Sequence, residues 1–254
     1  MRTKHHASLG LCLVFCAGVA VASDIGDFTE YAAIPQGATF QSAPTAAPEA
    51  TVKSIEALTF YANRVAWLAN PLMTAVTTTF EDFSGTSVAP GSVASCPSPF
   101  NSATNNACFN PGAIAAGFSV EVIDTGVGNN DGVVLTPAFA GVDCVAVGPN
   151  SFDNNGVLSF TPTVRGVGFD LVVPGAPITF TIDILDPTGA PLGTTTATSA
   201  ATAAAGAFWG VVSDDLSGIG SILVTGLPGE GELFCNVEFA GPPVPVELQS
   251  MTIE

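Results

Sequence analysis

Apolar and polar residues alternate through most of this chain in short runs, and turn-forming residues separate the runs. Residues 55–61, 77–83, 118–122, 157–161, 164–171, 178–184, 208–212, 219–224 and 233–239 all carry the two-residue period of a half-buried strand. Asn130-Asp131-Gly132, Asn154-Asn155-Gly156, Pro187-Thr188-Gly189 and Pro228-Gly229-Glu230-Gly231 read as turns between them. Helix-length apolar stripes do not alternate with these strands, so a parallel α/β arrangement is excluded. One short helix is expected at 64–69, capped by Asn63 and stopped by Asn70-Pro71, with Trp67 and Leu68 covering one end of the core. Many short strands with frequent turns imply an all-β fold, an antiparallel jelly-roll sandwich with one short N-terminal helix.

The chain's ends carry other signals. Arg2, Lys4, His5 and His6 precede an apolar run from Leu9 to Ala20, and Ala20-Val21-Ala22 supplies a small-x-small cleavage pattern. Residues 1–22 therefore read as a bacterial secretory signal peptide and the mature chain as secreted. Residues 23–53, with Pro35, Pro44 and Pro48 among small polar residues, read as an extended linker. The sandwich is expected over 54–241 and a C-terminal tail over 242–254. A second apolar segment able to span a bilayer is not found: 197–212 is apolar only through small residues and is broken by Gly206 and Gly210.

Cleavage after residue 22 removes both histidines and two of the five basic residues, leaving Lys53, Arg64 and Arg165 against 22 acids. Imidazole chemistry, from Ser/His and Cys/His nucleophile pairs to histidine metal sites, is thereby excluded from the mature chain. Nucleic acid is excluded as a partner as well, since phosphate contacts need clustered Lys and Arg.

Cys12 and Cys16 leave with the signal. Cys96, Cys108, Cys144 and Cys235 remain, an even number in an exported chain, which suggests two disulfides from three connectivities. Local spacing favours Cys96–Cys108, which leaves Cys144–Cys235. Zinc is disfavoured by the lack of a C-x-x-C pair.

Two stretches carry a family likeness. Leu58-Thr59-Phe60-Tyr61-Ala62-Asn63-Arg64-Val65-Ala66-Trp67-Leu68, with Thr79-Phe80-Glu81-Asp82-Phe83 after it, is the first. Ala207-Phe208-Trp209-Gly210-Val211 with Glu232-Leu233-Phe234-Cys235-Asn236-Val237-Glu238-Phe239 is the second. Together they resemble a family of secreted bacterial β-sandwich domains associated with PEP-CTERM-type and choice-of-anchor exported proteins. Such domains often carry an Asp–Asn pair in the last strand, where this chain has Cys235-Asn236. The tail from Val244 to Glu254 resembles a segment near the ends of exported surface proteins. The likeness implies a lectin-like jelly roll and no particular activity.

Three acidic or amide-rich stretches offer hard oxygen ligands for a structural Ca²⁺: Glu81-Asp82, Asn129-Asn130-Asp131 and Asp153-Asn154-Asn155. Glu81, Asp82, Asp131 and Asp153 are the candidate ligands, although Asn-Asp-Gly and Asn-Asn-Gly are also ordinary turn sequences. Asp214-Asp215 with Glu230 and Glu232 could form a glycosidase carboxylate pair, but Trp67, Trp209, Tyr31 and Tyr61 are few for sugar stacking. The expected function is a non-catalytic surface, extracellular-matrix or adhesion component. A carbohydrate-binding module with a glycan partner is the alternative, and an exposed aromatic platform would distinguish it.

Overall fold

The computed structural model describes residues 58–126, 131–150, 155–175, 177–215, 217–226 and 231–241. The signal peptide, linker and tail expected from the sequence lie outside those residues, as does Asp153. Two antiparallel sheets face each other across an apolar core, a jelly-roll sandwich.

The first sheet contains β1 (Leu58–Tyr61), β12 (Phe208–Ser213), β9 (Gly166–Val172), β14 (Leu233–Ala240), β7 (Ala146–Pro149), β6 (Asp131–Leu135) and β3 (Val93–Pro97), in that order. An eighth strand, β2 (Thr78–Glu81), also pairs with β14. The second sheet runs β11 (Pro191–Thr198), β10 (Thr179–Leu185), β13 (Ile219–Thr225), β8 (Asn155–Val164), β5 (Phe118–Ile123) and β4 (Phe100–Asn101). Inward residues of both sheets, among them Phe169, Leu171, Phe180, Ile182, Ile222 and Phe234, make one core.

β9 is buried on both faces, and its alternation explains how. Val167, Phe169 and Leu171 point into the sandwich. Gly166, Gly168, Asp170 and Val172 line the outer face, each under a different cover. A Cβ on Gly166 would lie 2.5 Å from the Met73 sulfur, and one on Gly168 would lie 2.7 Å from the Phe208 ring. Gly210 on β12 is as tight, with Trp67 and Phe208 both 2.9 Å from its ideal Cβ. These glycines form a floor on which Trp67 lies fully buried, its Nε1 donating to the Val211 carbonyl at 3.0 Å. Trp67 thus belongs to a separate small cluster with Met73, Val212 and Ala240 on the outside of the sheet, not to one end of the main core as expected.

Among the described residues, the one helix expected at 64–69 is followed directly by a second. α1 (Arg64–Leu68) begins where Asn63 accepts from the Ala66 amide at 3.0 Å. Asn70-Pro71 stops it and immediately starts α2 (Pro71–Thr74), because Asn70 caps the Leu72 amide at 2.8 Å and proline is well suited to a first helical position. Two turn assignments also change. Asp131-Gly132 opens β6 and Asn155-Gly156 opens β8, where glycine is needed for close packing: a Cβ on Gly156 would lie 2.8 Å from the Phe234 ring.

Both disulfides join the favoured partners. Cys96–Cys108 closes a local loop, and Cys144–Cys235 ties the approach to β7 to the last strand, each with Cα atoms 6.2 Å apart.

Candidate functional site

The edge of β14 is shared by two neighbours. β2 pairs with its second half, from Val237 to Ala240, whereas β7 meets it only at Phe234. Between them the register of β14 against β9 slips by one residue, and Asn236 adopts a left-handed φ of 49°. Asparagine tolerates that conformation better than most residues. The extra residue keeps Phe234 and Val237 in the core and turns Cys235, Asn236 and Glu238 outward, as a bulge does when it re-aims side chains.

A cleft of about 530 Å³ opens at this break. Asp82 and Ser84, just past β2, form one wall; Asp143, Cys144 and Val145, leading into β7, form another; Asp170 and Asn236 are the floor. Ala203 and Ala204 of a 3-10 turn close the far side, held by Asp143, whose two oxygens accept their amides at 2.7 and 3.0 Å. The Cys144–Cys235 bond and a small cluster including Leu135, Val172 and Leu233 support the cleft from behind.

Arg64 organises the floor. Its Nη1 donates to Glu238 Oε2 at 3.0 Å; its Nη2 donates to the Asn236 carbonyl at 2.8 Å and to Asp170 Oδ2 at 3.3 Å. Asn236 Nδ2 donates to the same Asp170 oxygen at 2.7 Å. The guanidinium carbon lies 4.6 Å from the Phe208 ring centroid and 5.8 Å from that of Phe80, so the cation sits between two rings. Burial pushes the Asp170 carboxyl above the usual range; the Asn236 and Arg64 bonds pull it back and Asp143 adds repulsion.

Of the expected calcium ligands among the described residues, Asp82 lines the cleft and Glu81 and Asp131 do not. Glu81 is buried, and its oxygens accept the Phe83 amide at 2.5 Å and the Ala115 amide at 2.6 Å. Burial raises its carboxyl despite those two bonds. Both oxygens are thus engaged by backbone amides. Asp82 faces the cleft from the next position, its carboxyl held low by Ser84. Asp131 lies on another strand, its carbonyl accepting from the Asn150 amide at 3.1 Å. Among the described residues no group of three or more acids, cysteines or histidines is placed to hold a metal ion.

The suggested glycosidase carboxylates are also dispersed. Glu232 is fully buried and accepts from the Gly156 amide at 2.6 Å; Asp215 accepts from the Ser217 amide and hydroxyl in a tight turn; Glu230 is outside the described residues. Sequence reasoning missed Asp143, Asp170 and the role of Asn236. The available signal was Asp170, the one acid in 164–171, which follows Gly166 and Gly168 on the outward positions of the strand.

Trp209 is buried against Phe169 and Phe60, with centroids 5.1 and 6.2 Å away. Phe208 is half-buried beneath Arg64. Both tryptophans of the chain are therefore enclosed, and neither forms a flat exposed platform.

No protein-family model matches this chain, and no curated protein matches it either. Among solved structures, a family 11 carbohydrate-binding module from Clostridium thermocellum, in complex with a β-1,3-1,4-mixed-linked tetrasaccharide, is 16% identical, with a TM-score of 0.23 over 50% of this chain and 86% of that one. The family 11 module of the cellulosomal cellulase Lic26A-Cel5E of the same organism is 15% identical, with a TM-score of 0.25 over 65% and 95%. At these values the likeness bears on neither ligand nor activity.

Proposed function

We propose that this chain is an exported, non-catalytic β-sandwich that serves as a surface, extracellular-matrix or adhesion component. The observation that carries the reading is the immobilisation of the cleft's carboxylates. Asp82 accepts the Ser84 amide, Asp143 is fixed by two amides, and Asp170 by Arg64 and Asn236. A general acid must present its proton to a leaving group, and Asp170 Oδ2 is instead turned toward a cation and an amide. Two disulfides support an oxidising compartment, and the likeness to exported anchor-associated domains supports a place at the cell exterior. No helix among the described residues is long and apolar enough to cross a membrane. The test is a reducing-end assay on a broad polysaccharide panel. No turnover is expected; turnover abolished by Asp170→Asn would overturn the reading.

A second reading, carbohydrate binding, is favoured by one feature: Asp82, Asp143, Asp170 and Asn236 converge on a cleft large enough for a sugar unit. The enclosed tryptophans weigh against it. A glycan array decides, with Asn236→Ala as control: saturable binding lost in the variant supports this reading, and an empty array removes it. The calcium proposal stays with Asp82, Asp131 and Asp153, since both Glu81 oxygens accept backbone amides.

A further inference from the structure

The cleft is lopsided in what it offers a ligand. Asp82, Asp143 and Asp170 line it with Ser84 and Asn236, and no Lys or Arg side chain is among its described lining residues. Arg64, the cation beneath the floor, is divided between Asp170, Glu238 and the Asn236 carbonyl. Asp170 carries the decisive atom. The residue is only 7% exposed, and Arg64 and Asn236 both donate to its Oδ2. Among the described residues Oδ1 accepts no hydrogen bond, yet it is not sealed from solvent. A carboxylate buried by more than nine-tenths thus keeps one oxygen open at the floor of a cleft. An acceptor so placed is costly until a donor fills it.

We propose that the cleft binds a non-acetylated amino sugar, whose ammonium group donates to Asp170 Oδ1 and whose hydroxyls donate to the other cleft carboxylates. This rests on the carbohydrate reading of the cleft and gives that reading a ligand class. Charge selects the ammonium. Three carboxylates share part of one guanidinium, so a ligand that brings a positive charge is favoured over a neutral one and an anion is repelled. Repulsion from Asp143 already helps to hold the Asp170 carboxyl above the usual range, and a cation relieves it. A charge-assisted bond at so enclosed a carboxylate is also stronger than one made in water. Extent selects an organic cation over a metal ion. The acceptors are spread over a cleft of about 530 Å³, and no group of three acids among the described residues is placed to hold one ion. A sugar ring with an amine and hydroxyls spreads its donors over a comparable span. Asp143 and Asp170 are already fixed by their own bonds, so little is lost in ordering them. Recognition through charge needs no aromatic platform, which the enclosed tryptophans do not supply.

Isothermal titration calorimetry on the full mature chain tests it, at physiological ionic strength and about pH 6, where the sugar amine is protonated. The probes are the β-1,4-linked glucosamine trimer, its fully N-acetylated counterpart, and spermidine, which carries as many amines on a flexible chain. The glucosamine trimer should bind at one saturable site, about tenfold or more tighter than either other probe. Asp170→Asn should weaken it by about tenfold or more, and Asp82→Asn, on the exposed wall, by less. Glu121→Gln removes the same charge from the outer face of β5, in the opposite sheet, and should leave binding unchanged. Near-ultraviolet circular dichroism establishes that each variant is folded. Equal binding of the acetylated trimer overturns the ammonium and leaves carbohydrate binding standing, whereas binding of neither sugar overturns both. Spermidine that binds as tightly as the glucosamine trimer overturns the sugar as the source of the amine. A loss in Glu121→Gln as large as in Asp170→Asn is the general attraction of polycations to an acidic chain, and it overturns the site.

Discussion

Asn236 Nδ2 donates to Asp170 Oδ2 at 2.7 Å, joining the bulged last strand to the central strand β9 at the floor of the cleft. Arg64 reaches the same carboxylate oxygen from α1, so three elements distant in sequence meet on one atom. The stability of this junction and the rigidity of the cleft are one property, and both can be measured.

Removing Arg64 should be costly. Arg64→Ala leaves Asp170 and Glu238, each with only a tenth of its side chain exposed, without their cation. A loss of about 2–4 kcal/mol is expected in chemical denaturation. Adding Asp170→Asn should recover part of it, because one uncompensated charge is removed. A double-mutant cycle with zero coupling would show that the pair is electrostatically inert.

The glycine floor makes a sharper steric prediction. Gly168→Ala places a methyl group against Phe208 and close to Trp67. The expected cost is about 1–3 kcal/mol, accompanied by a red shift in tryptophan emission as Trp67 is lifted from its site. Gly126→Ala, at a surface position with φ of 133°, should cost backbone strain and leave that emission unchanged.

Acid should stabilise before it denatures. The folded-state values of Asp170 and Glu81 lie above the ordinary carboxylate values, chiefly through burial. Such groups hold protons more tightly folded than unfolded, so their contribution grows as pH falls through the folded value and is complete below the unfolded one. Asp82, held low by Ser84, acts in the opposite sense at lower pH. The Tm should therefore be higher at about pH 5 than at about pH 7.5, and Asp170→Asn should shrink the difference. A Tm that falls steadily over this interval would contradict the assignment.

The two disulfides should differ in worth. Their partners are 12 and 91 residues apart, and a cross-link that closes the longer loop restricts the unfolded chain more. Paired Cys→Ala substitutions should cost roughly 3 kcal/mol for Cys96–Cys108 and between 4 and 5, roughly, for Cys144–Cys235 on the chain-entropy scale. An equal cost would place the second bond's contribution in the folded state.

Much of the sandwich was legible because a strand with one buried face writes its period into the sequence. Residues 178–184 alternate so regularly that β10 could be located almost to its ends, and the apolar content of 233–239 located β14 despite its bulge. β11 was missed because its outward residues are threonines and its inward ones include Gly193 and Ala197, which gives little contrast in polarity. β6 was hidden by Asp131-Gly132, whose glycine is required by the Phe100 ring and not by a turn. The disulfide partners followed from local spacing. The cleft could not be read in the same way. It depends on a one-residue slip at Asn236 and on Arg64, 172 residues earlier, and no local period records either.

The most direct test of a place at the cell exterior is immunogold labelling of the native protein in its own cells. Label on the outer surface or in the surrounding matrix is the expected result. Label confined to the cytoplasm would contradict export, and protein recovered wholly free in the medium would contradict a surface or matrix role.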